Sequence, residues 1–138
     1  MSSAEVTPEP DAGNLVRFRA MTPFDVAGLV RFRGMSPGDL PSVAAVERAA
    51  YPFPWSESIF RDCLRVGYLC RVAESAGEIV AYGVVAMGAG EAHVLNLCVA
   101  GPVRGRGIGR RMLLLLIERS VQAGMQDVFL EVRPSNPH

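Results

Sequence analysis

The feature that most constrains the fold is a stretch of glycines and arginines enclosed by two apolar segments. Residues 103–112 read VRGRGIGRRM; they follow the apolar run HVLNLCVAGP and lead into MLLLLIE. The run before the stretch predicts a buried strand, and the run after it predicts a helix of about four turns. The chain therefore passes from a strand through a glycine-rich loop into the start of a helix.

This loop has the chemistry of a phosphate-binding site. The first N–H groups of a helix have no partners within the helix, and the helix dipole is positive at that end. Glycines let the backbone approach an anion closely, and arginines add charge and forked donors. Two familiar nucleotide motifs are excluded. Arg110 and Arg111 stand where the Walker motif needs Lys-Ser/Thr, and Arg110 stands where the dinucleotide fingerprint needs glycine.

The composition indicates one globular domain. The chain has 138 residues, of which 49% are hydrophobic and 20% are charged. The formal net charge is zero, which disfavours a dedicated nucleic-acid binder. RNA binding by the arginines of the loop stays a weak alternative, because no aromatic platform accompanies them.

The cysteines and histidines give no metal or disulfide pattern. Cys63, Cys70 and Cys98 lack paired spacing, which favours a reducing compartment, and we interpret Cys98 as a small core residue. His93 and His138 have no ligand spacing with them, so no metal site is predicted, and His93 is interpreted as a strand surface residue. The sequence contains neither a secretory signal nor an apolar run of roughly 20 residues, so we expect a cytoplasmic protein.

The first 28 residues hold a predicted tail and the first copy of a duplicated segment. Residues 1–14 combine polar residues, Pro and Gly with few apolar residues, which predicts a disordered tail. LVRFRAMTPFDV from Leu15 and LVRFRGMSPGDL from Leu29 share eight of twelve positions at a spacing of 14. We assign 15–28 as a duplicated strand-like segment. The second copy is predicted to be the first strand of a domain at 29–138, because helix signals follow it directly.

The rest of the chain predicts the order strand, helix, helix, strand, strand, strand, helix, strand. The first helix lies within SPGDLPSVAAVERAAY, and the second begins after PFPW with Ser56 as its N-cap. A hairpin turn is predicted at SAGE, and Gly124 is predicted to end the last helix. The apolar run 113–117 is interpreted as a buried helix segment. The inward-facing residues of the second helix are predicted to be Ile59, Phe60, Cys63 and Leu64.

Several words of the sequence carry a family resemblance. Residues 104–109, RGRGIG, match Arg-x-x-Gly-x-Gly, which resembles the coenzyme pyrophosphate loop of the GNAT superfamily of N-acetyltransferases. GDLPSVAAVERAAYPFPWSESIF is similar to the first two helices of its RimI-type branch, the ribosomal-protein-alanine N-acetyltransferases. EAHVLNLCVAGPVRGRGIGRRML is similar to that branch's central strand and loop, and LEVRPSN to the end of its next strand. The resemblance runs from Arg31 to His138.

The resemblance implies an α/β fold with a mixed, twisted sheet and helices on both faces. The sheet would be splayed between its fourth and fifth strands, where acetyl-coenzyme A lies. The strand edge at 97–99 would pair with pantetheine, and the amide near Val99 would polarise the thioester carbonyl. The residues implied in coenzyme binding are Leu97, Cys98, Val99, Arg104, Gly105, Arg106, Gly107, Ile108, Gly109, Arg110 and Asn136.

Glu131 matches the family's proposed general base. A carboxylate suits this role, because an α-amino group, with a pKa of about 7.7–8.0, needs only a weak base. The alternative for Glu131 is an outward strand residue or a partner for Arg133. Phe53 and Trp55 are implied in the acceptor-peptide groove, and the alternative is that an aromatic residue before a helix staples that helix to the core.

The family pattern continues beyond the point where this sequence stops. After RPSNPH the family has a helix that carries a tyrosine, the proposed general acid, and then two more strands. We therefore expect a GNAT domain without the last helix and the last two strands. DVFLEVR is then an exposed apolar edge, which a partner chain could cover. A natural truncation, a sequence cut short and a subunit completed by a partner stay open.

We therefore expect an acetyl-coenzyme-A-dependent N-acetyltransferase for a protein N-terminal α-amine. The implied acceptor is an alanine-starting ribosomal protein, with no membrane partner. One alternative is a non-catalytic module that binds acyl-coenzyme A or docks a partner. Another is an acetyltransferase for a lysine side chain or a small-molecule amine.

Overall fold

A computed structural model of the chain describes residues 29–131. The predicted tail at 1–14, the duplicated segment at 15–28 and Asn136 lie outside the described residues. The described part follows the predicted order of elements. Its strands and helices are β1 (Arg31–Gly34), α1 (Leu40–Ala50), α2 (Glu57–Arg65), β2 (Leu69–Ser75), β3 (Glu78–Gly88), β4 (Glu91–Val99), α3 (Ile108–Gln122) and β5 (Asp127–Leu130), with 3-10 turns at Pro37–Asp39 and Gly101–Val103.

The strands form one mixed sheet in the order β1-β2-β3-β4-β5. The first four strands pair antiparallel with their neighbours, and β5 pairs parallel with β4. A parallel pair needs a crossover connection, and α3 provides it. The mixed sheet that the sequence predicted is therefore confirmed, and β4 is the strand where the pairing changes direction.

Helices cover both faces of the sheet, as expected. On one face, α3 packs through Ile108, Met112, Leu115 and Leu116 against apolar residues of the strands. On the other face, α1 and α2 pack through residues such as Leu40, Val43 and Phe60. Each helix buries one stripe at a spacing of three or four residues, which is why α3 can cover the sheet with a single face.

The predicted turns and caps agree with the structure at three places. Ala76 and Gly77 both have positive φ, 52° and 81°, as a two-residue hairpin turn requires. The hydroxyl of Ser56 accepts a hydrogen bond from the Ile59 amide at 3.4 Å and so caps α2. Gly124 follows the end of α3 with a φ of 94°, the left-handed conformation that stops a helix.

Two residues that were predicted to be buried are exposed. Ile59 is 42% exposed, because α2 turns Phe60 and Cys63 toward the sheet and leaves Ile59 on its flank. Leu114 is 52% exposed although its neighbours in the apolar run are not. It lies two positions from Met112 and from Leu116, and two positions on a helix are about 200° apart. The buried stripe of α3 therefore excludes Leu114.

The last described strand has an exposed apolar surface. Phe129 and Leu130 are 44% and 48% exposed, as the sequence led us to expect for this strand. Within residues 29–131, none of the helices combines the length and the apolar character of a membrane span.

An ion-pair cluster ties β1 to the segment before α1 and to β2. The Arg33 guanidinium contacts the Asp39 carboxylate at 2.8 Å and the Glu74 carboxylate at 2.7 Å. The hydrogen bond from Arg33, helped by the Ser36 amide, lowers the pKa of Asp39 to about 2. A carboxylate with a lowered pKa in the folded state stabilises the fold above its unfolded pKa and loses that effect as the pH falls toward 2.

We predict that Asp39→Asn removes about 2 kcal/mol of stability at pH 7, because a shift of one pKa unit corresponds to about 1.4 kcal/mol. The difference between the variant and the parent should shrink as the pH falls from 5 to 2. Urea denaturation at a series of pH values measures it. Asp62→Asn is the control, because Asp62 pairs with Arg65 on an exposed surface, and such pairs contribute little. A difference that is independent of pH contradicts the prediction.

Candidate functional site

Strand β4 is paired differently on its two sides. It pairs with β3 from Glu91 to Val99, but its described ladder with β5 covers only Glu91–Val94. The Ala100 amide donates to the Val80 carbonyl at 2.8 Å, which fixes the alternation of the ladder with β3. By that alternation, the backbone groups of Leu97 and Val99 point away from β3, toward the β5 side. The strand edge that the sequence analysis assigned to pantetheine thus faces the β5 side.

A bulge in β4 determines on which face of the sheet the side chains along this edge lie. Val84 pairs with Asn96 and Val85 pairs with Val94, so Leu95 is the extra residue. A bulge changes the face on which the following side chains lie. Before it, Val94 packs on the α3 side, whereas Cys98 after it packs with α1 and α2. Asn96 also faces α1, through a hydrogen bond to it.

The β4 edge leads through the 3-10 turn at Gly101–Val103 to the N-terminus of α3. Gly105 and Gly107 both have a φ of 82°, a left-handed backbone conformation that residues with a side chain rarely adopt. Gly107 is the N-cap of the helix. The Arg111 amide donates to the Gly107 carbonyl at 3.1 Å. The amides at 108–110 precede that bond and so belong to the first turn, which has no intrahelical acceptors. The predicted anion cradle has the geometry of a helix N-terminus.

Contacts of Arg104, Arg111 and Gly109 fix the loop and the start of α3 against the sheet. The Arg104 side chain donates from Nε to the Val99 carbonyl at 3.0 Å, so this arginine also fixes the end of the strand. Arg111 lies 5.9 Å from the ring centroid of Phe32, a cation–π contact. A Cβ on Gly109 would lie 3.2 Å from a methyl carbon of Val99, so glycine allows α3 to approach β4 closely there.

A cavity of about 330 Å³ lies between the C-terminal half of α1 and residues 100–104.

Glu131 lies at the end of β5, beside the same edge of β4. Its amide donates to the Val94 carbonyl at 3.1 Å. Glu131, Leu97 and Tyr51 line one small cavity between the two strands and α1. The Tyr51 hydroxyl donates to the Leu97 carbonyl at 3.4 Å, on the side of β4 that faces this cavity. Two residues that the sequence placed in different roles, Glu131 and Leu97, are therefore brought together.

The two aromatic residues assigned to the acceptor groove differ in exposure and packing. Phe53 is 87% exposed. Trp55 precedes the Ser56 cap and packs on Phe60 with ring centroids 5.2 Å apart. These positions, N′ and N4 of α2, form a hydrophobic staple. Trp55 therefore has the hydrophobic-staple arrangement that was the alternative for these residues. Phe53 takes no part in that staple and lies on the surface.

A buried carboxylate that was not predicted from the sequence connects these parts. Glu47 of α1 is fully buried. Its Oε1 accepts hydrogen bonds from the Tyr82 hydroxyl at 2.5 Å and from the Asn96 amide at 2.9 Å. Its Oε2 accepts one from the Trp55 backbone amide at 2.9 Å. Glu47 thus links α1, two central strands and the loop before α2. The signal was a glutamate on the apolar stripe of α1, four residues after Val43.

Cys98 has the environment of a core thiol. Burial raises the pKa of Cys98, and burial is also the largest cause that raises the pKa of the neighbouring Tyr82 hydroxyl. A raised pKa means little thiolate at neutral pH. Cys98 is therefore poorly suited to act as a nucleophile, in agreement with its interpretation as a core residue. Among the residues 29–131, no group of three or more His, Cys, Asp and Glu side chains is placed to hold a metal ion.

The profile described as the acetyltransferase (GNAT) family matches residues 40–138. The chain belongs to the GNAT acetyltransferase family. This GNAT chain is 33% identical over 97 residues to the [ribosomal protein bS18]-alanine N-acetyltransferase of Escherichia coli strain K12. The match covers 70% of this chain and 66% of that enzyme, so the chain spans slightly less than two thirds of the relative's length. It is also 34% identical over 99 residues to an uncharacterized N-acetyltransferase of Methanocaldococcus jannaschii, of which it covers 64%.

Solved structures have the same fold as this GNAT chain. The crystal structure of the ribosomal-protein-S18-alanine N-acetyltransferase from Escherichia coli superposes with a TM-score of 0.70 at 30% identity, over 78% of this chain and 69% of that one. The N-acetylglutamate synthase of Neisseria gonorrhoeae, solved with coenzyme A and N-acetyl-glutamate, superposes with a TM-score of 0.64 at 19% identity. That match covers 73% of this chain and 24% of the synthase, and it shows likeness of fold.

We predict that Glu47→Gln lowers the free energy of unfolding by at least about 2 kcal/mol, because an amide group would face donors that now meet carboxylate oxygens. Urea denaturation measures the change. Glu57→Gln is the matched control, since Glu57 forms an exposed i,i+4 pair with Arg61, and such pairs contribute about 0.3–0.5 kcal/mol. Equal effects of the two substitutions would show that Glu47 does not hold the loop and the strands together.

Proposed function

We propose that this protein is an acetyl-coenzyme-A-dependent N-acetyltransferase that acts on the N-terminal α-amine of a protein. The observation that carries the proposal is the continuity of the site. Glu131 lies in one cavity with the outward-facing edge of β4, and the same strand leads into the N-terminus of α3. A carboxylate, a strand edge and an anion cradle are thereby arranged along one path.

The coenzyme pyrophosphate fits the N-terminus of α3. The amides at 108–110 and the positive end of the helix dipole attract anions, and the left-handed glycines keep side chains out of the approach. Arg106 and Arg110 flank this turn and add positive charge. We assign Arg104 a double role, because it borders the loop and also fixes the Val99 carbonyl. Asn136, which lies outside the described residues, stays a proposed contact of the pantetheine.

The pantetheine would run along the backbone edge of β4. The groups of Leu97 and Val99 that point away from β3 offer donors and acceptors for its two amides. The Val99 amide would then polarise the thioester carbonyl. The Cys98 side chain points into the core under α1 and α2, and its backbone groups face β3, so we assign Cys98 the role of spacing Leu97 and Val99 along this edge. We expect direct transfer to the amine, without an acetylated cysteine.

Glu131 is the proposed general base. When the amine nitrogen bonds to the acetyl carbon, the carbon–sulfur bond breaks, the sulfur leaves as thiolate, and the nitrogen must lose one proton. Glu131 accepts that proton directly or through one water. An α-amine suits this arrangement better than a lysine, because its pKa of about 7.7–8.0 leaves a larger neutral fraction than a pKa of about 10.4.

The acceptor is proposed to be an alanine-starting ribosomal protein, met in the cytoplasm. The proposal rests on the name of the Escherichia coli relative, a [ribosomal protein bS18]-alanine N-acetyltransferase. Exposed Phe53 is a proposed contact of the acceptor chain, since aromatic residues supply large contact area at low entropic cost. Trp55 would support this contact by fixing the loop.

A second candidate function is a non-catalytic docking module. The exposed apolar residues Phe129 and Leu130 of β5 favour it, because such a strand edge is a template for pairing with another chain. Coenzyme binding without acetyl transfer to any amine would support this candidate. Catalytic turnover would remove it.

We predict that Gly107→Ala weakens acetyl-coenzyme A binding at least tenfold. Alanine at a φ of 82° is strained by about 1 kcal/mol or more, and relief of that strain would turn the first amides of α3 away from the anion. Calorimetric titration measures the affinity. Gly101→Ala is the matched control, because no atom lies within 4 Å of a Cβ built there. Equal affinities of the two variants would contradict the assignment of the loop.

We predict that Glu131→Gln lowers kcat for an Ala-starting peptide by about 10²–10⁴-fold and leaves acetyl-coenzyme A affinity unchanged. The release of free thiol measures the rate. Glu118→Gln, on the exposed side of α3, should be as active as the parent chain. Full activity of Glu131→Gln would exclude Glu131 as the base. A parent chain that binds the coenzyme but acetylates no amine would refute the proposed enzyme.

A further inference from the structure

A histidine outside the family motifs contacts the proposed general base. His93 of β4 pairs in register with Phe129 of β5, and Glu131 follows two residues later on the same face. The Nδ1 atom of His93 is hydrogen-bonded to the Glu131 carboxylate, and its Nε2 atom lies 3.1 Å from the Glu91 carboxylate. Each ring nitrogen thus has a carboxylate partner.

The ring of His93 is held in this orientation by packing. It stacks on the Phe129 ring with centroids 5.1 Å apart and planes inclined by 23°. The side chain is 34% exposed, so protons can exchange with solvent. An imidazole that is stacked and bonded at both nitrogens keeps a fixed position relative to its carboxylates.

From this geometry we infer that His93 positions Glu131 and shares the proton that Glu131 takes from the acceptor amine. The inference rests on the proposed function, since it assigns a partner to the same base. The proton leaves the amine nitrogen, reaches the Glu131 carboxylate and is held by the Glu131–His93 pair, and His93 passes it to solvent after the thiolate has left. The pair therefore acts as one base, and His93 is its positioning residue.

The charges around His93 support a shared proton. The hydrogen bonds of Glu131 and then Glu91 raise the pKa of His93 above its usual value. In the described ladder around His93, the charged residues on the His93 side are Glu91 from β4 and Asp127 and Glu131 from β5, and the buried Glu47 of α1 lies farther along the same face, against Asn96. The facing residue from β3 is Ala86, which has no charge. A histidine that faces carboxylates alone stays protonated to higher pH than a solvated one.

The test compares the pH dependence of kcat in the parent chain and in His93→Gln, with the same Ala-starting peptide at saturation. The parent should lose activity on the acid side over the pH range in which a histidine titrates. His93→Gln should shift this limb toward the carboxylate range by at least about one pH unit. Its kcat at pH 7.5 should fall about tenfold, because Glu131 would take the amine proton without the imidazole that shares it.

Glu91→Gln is the matched control. It keeps the contact between His93 and Glu131 and removes the other carboxylate, so the acid limb should move by less than in His93→Gln. The imidazole signals of His93, followed by NMR without any substrate, should titrate at lower pH in Glu131→Gln than in the parent chain. The chain has two histidines, so the His93→Gln spectrum assigns them.

Failure of the shared proton and failure of the proposed function give different results. If Glu131→Gln is inactive while His93→Gln has the same pH profile and kcat as the parent, the shared proton is refuted and the proposed enzyme stands. An unchanged His93 titration in Glu131→Gln also refutes the pair. If the parent chain has no acetyltransferase activity, the proposed function itself fails.

Discussion

Among residues 29–131, strand β4 has one neighbour along its whole length and a second neighbour along only its first half, and the proposed chemistry depends on this difference. A strand in the middle of a sheet forms backbone hydrogen bonds with a neighbouring strand on each side. In β4 the ladder with β5 ends at Val94 in the described residues, and the groups of Leu97 and Val99 that follow point to the same side. A ligand with amide groups could continue the ladder there. The bulge at Leu95 lies at the transition between the two halves.

Two side chains fix this strand from outside the sheet. Tyr51, at the end of α1, donates to the Leu97 carbonyl, and Arg104, in the loop before α3, donates to the Val99 carbonyl. Glu47 adds a contact from the α1 face of the sheet. Its carboxylate accepts hydrogen bonds from Asn96, from Tyr82 and from the loop before α2. Buried polar networks of this kind specify one arrangement when their members are satisfied. The positions of Glu131 and of the α3 N-terminus follow from the position of β4.

Local patterns predicted the elements and the loop, because each has a signal within a few residues. The Ser56 cap, the hairpin turn at Ala76 and Gly77, and the glycines before α3 are set by backbone requirements at single positions. Family resemblance, rather than periodicity, predicted that Glu131 and the edge at Leu97 belong to one site. Their shared cavity agrees with that prediction of proximity.

The sequence could not predict contacts that depend on register between distant strands. His93 and Glu131 are 38 residues apart, and they meet because β4 and β5 pair parallel in one register. Their contact disagrees with the interpretation of His93 as a plain surface residue. Glu47 was missed for a similar reason, since its donors come from three separate segments. Ile59 and Leu114 show the converse limit: an apolar residue in an amphipathic helix is buried only if it lies on the stripe that meets the sheet.

Amide hydrogen exchange along β4 and into α3, with and without acetyl-coenzyme A, tests the proposed binding path most directly. Binding should slow exchange at Leu97, Val99 and residues 108–110. The amides of Asn96 and Cys98, which already face β3, should change little. Protection confined to another surface, or protection without this alternation along β4, would contradict the proposed binding path.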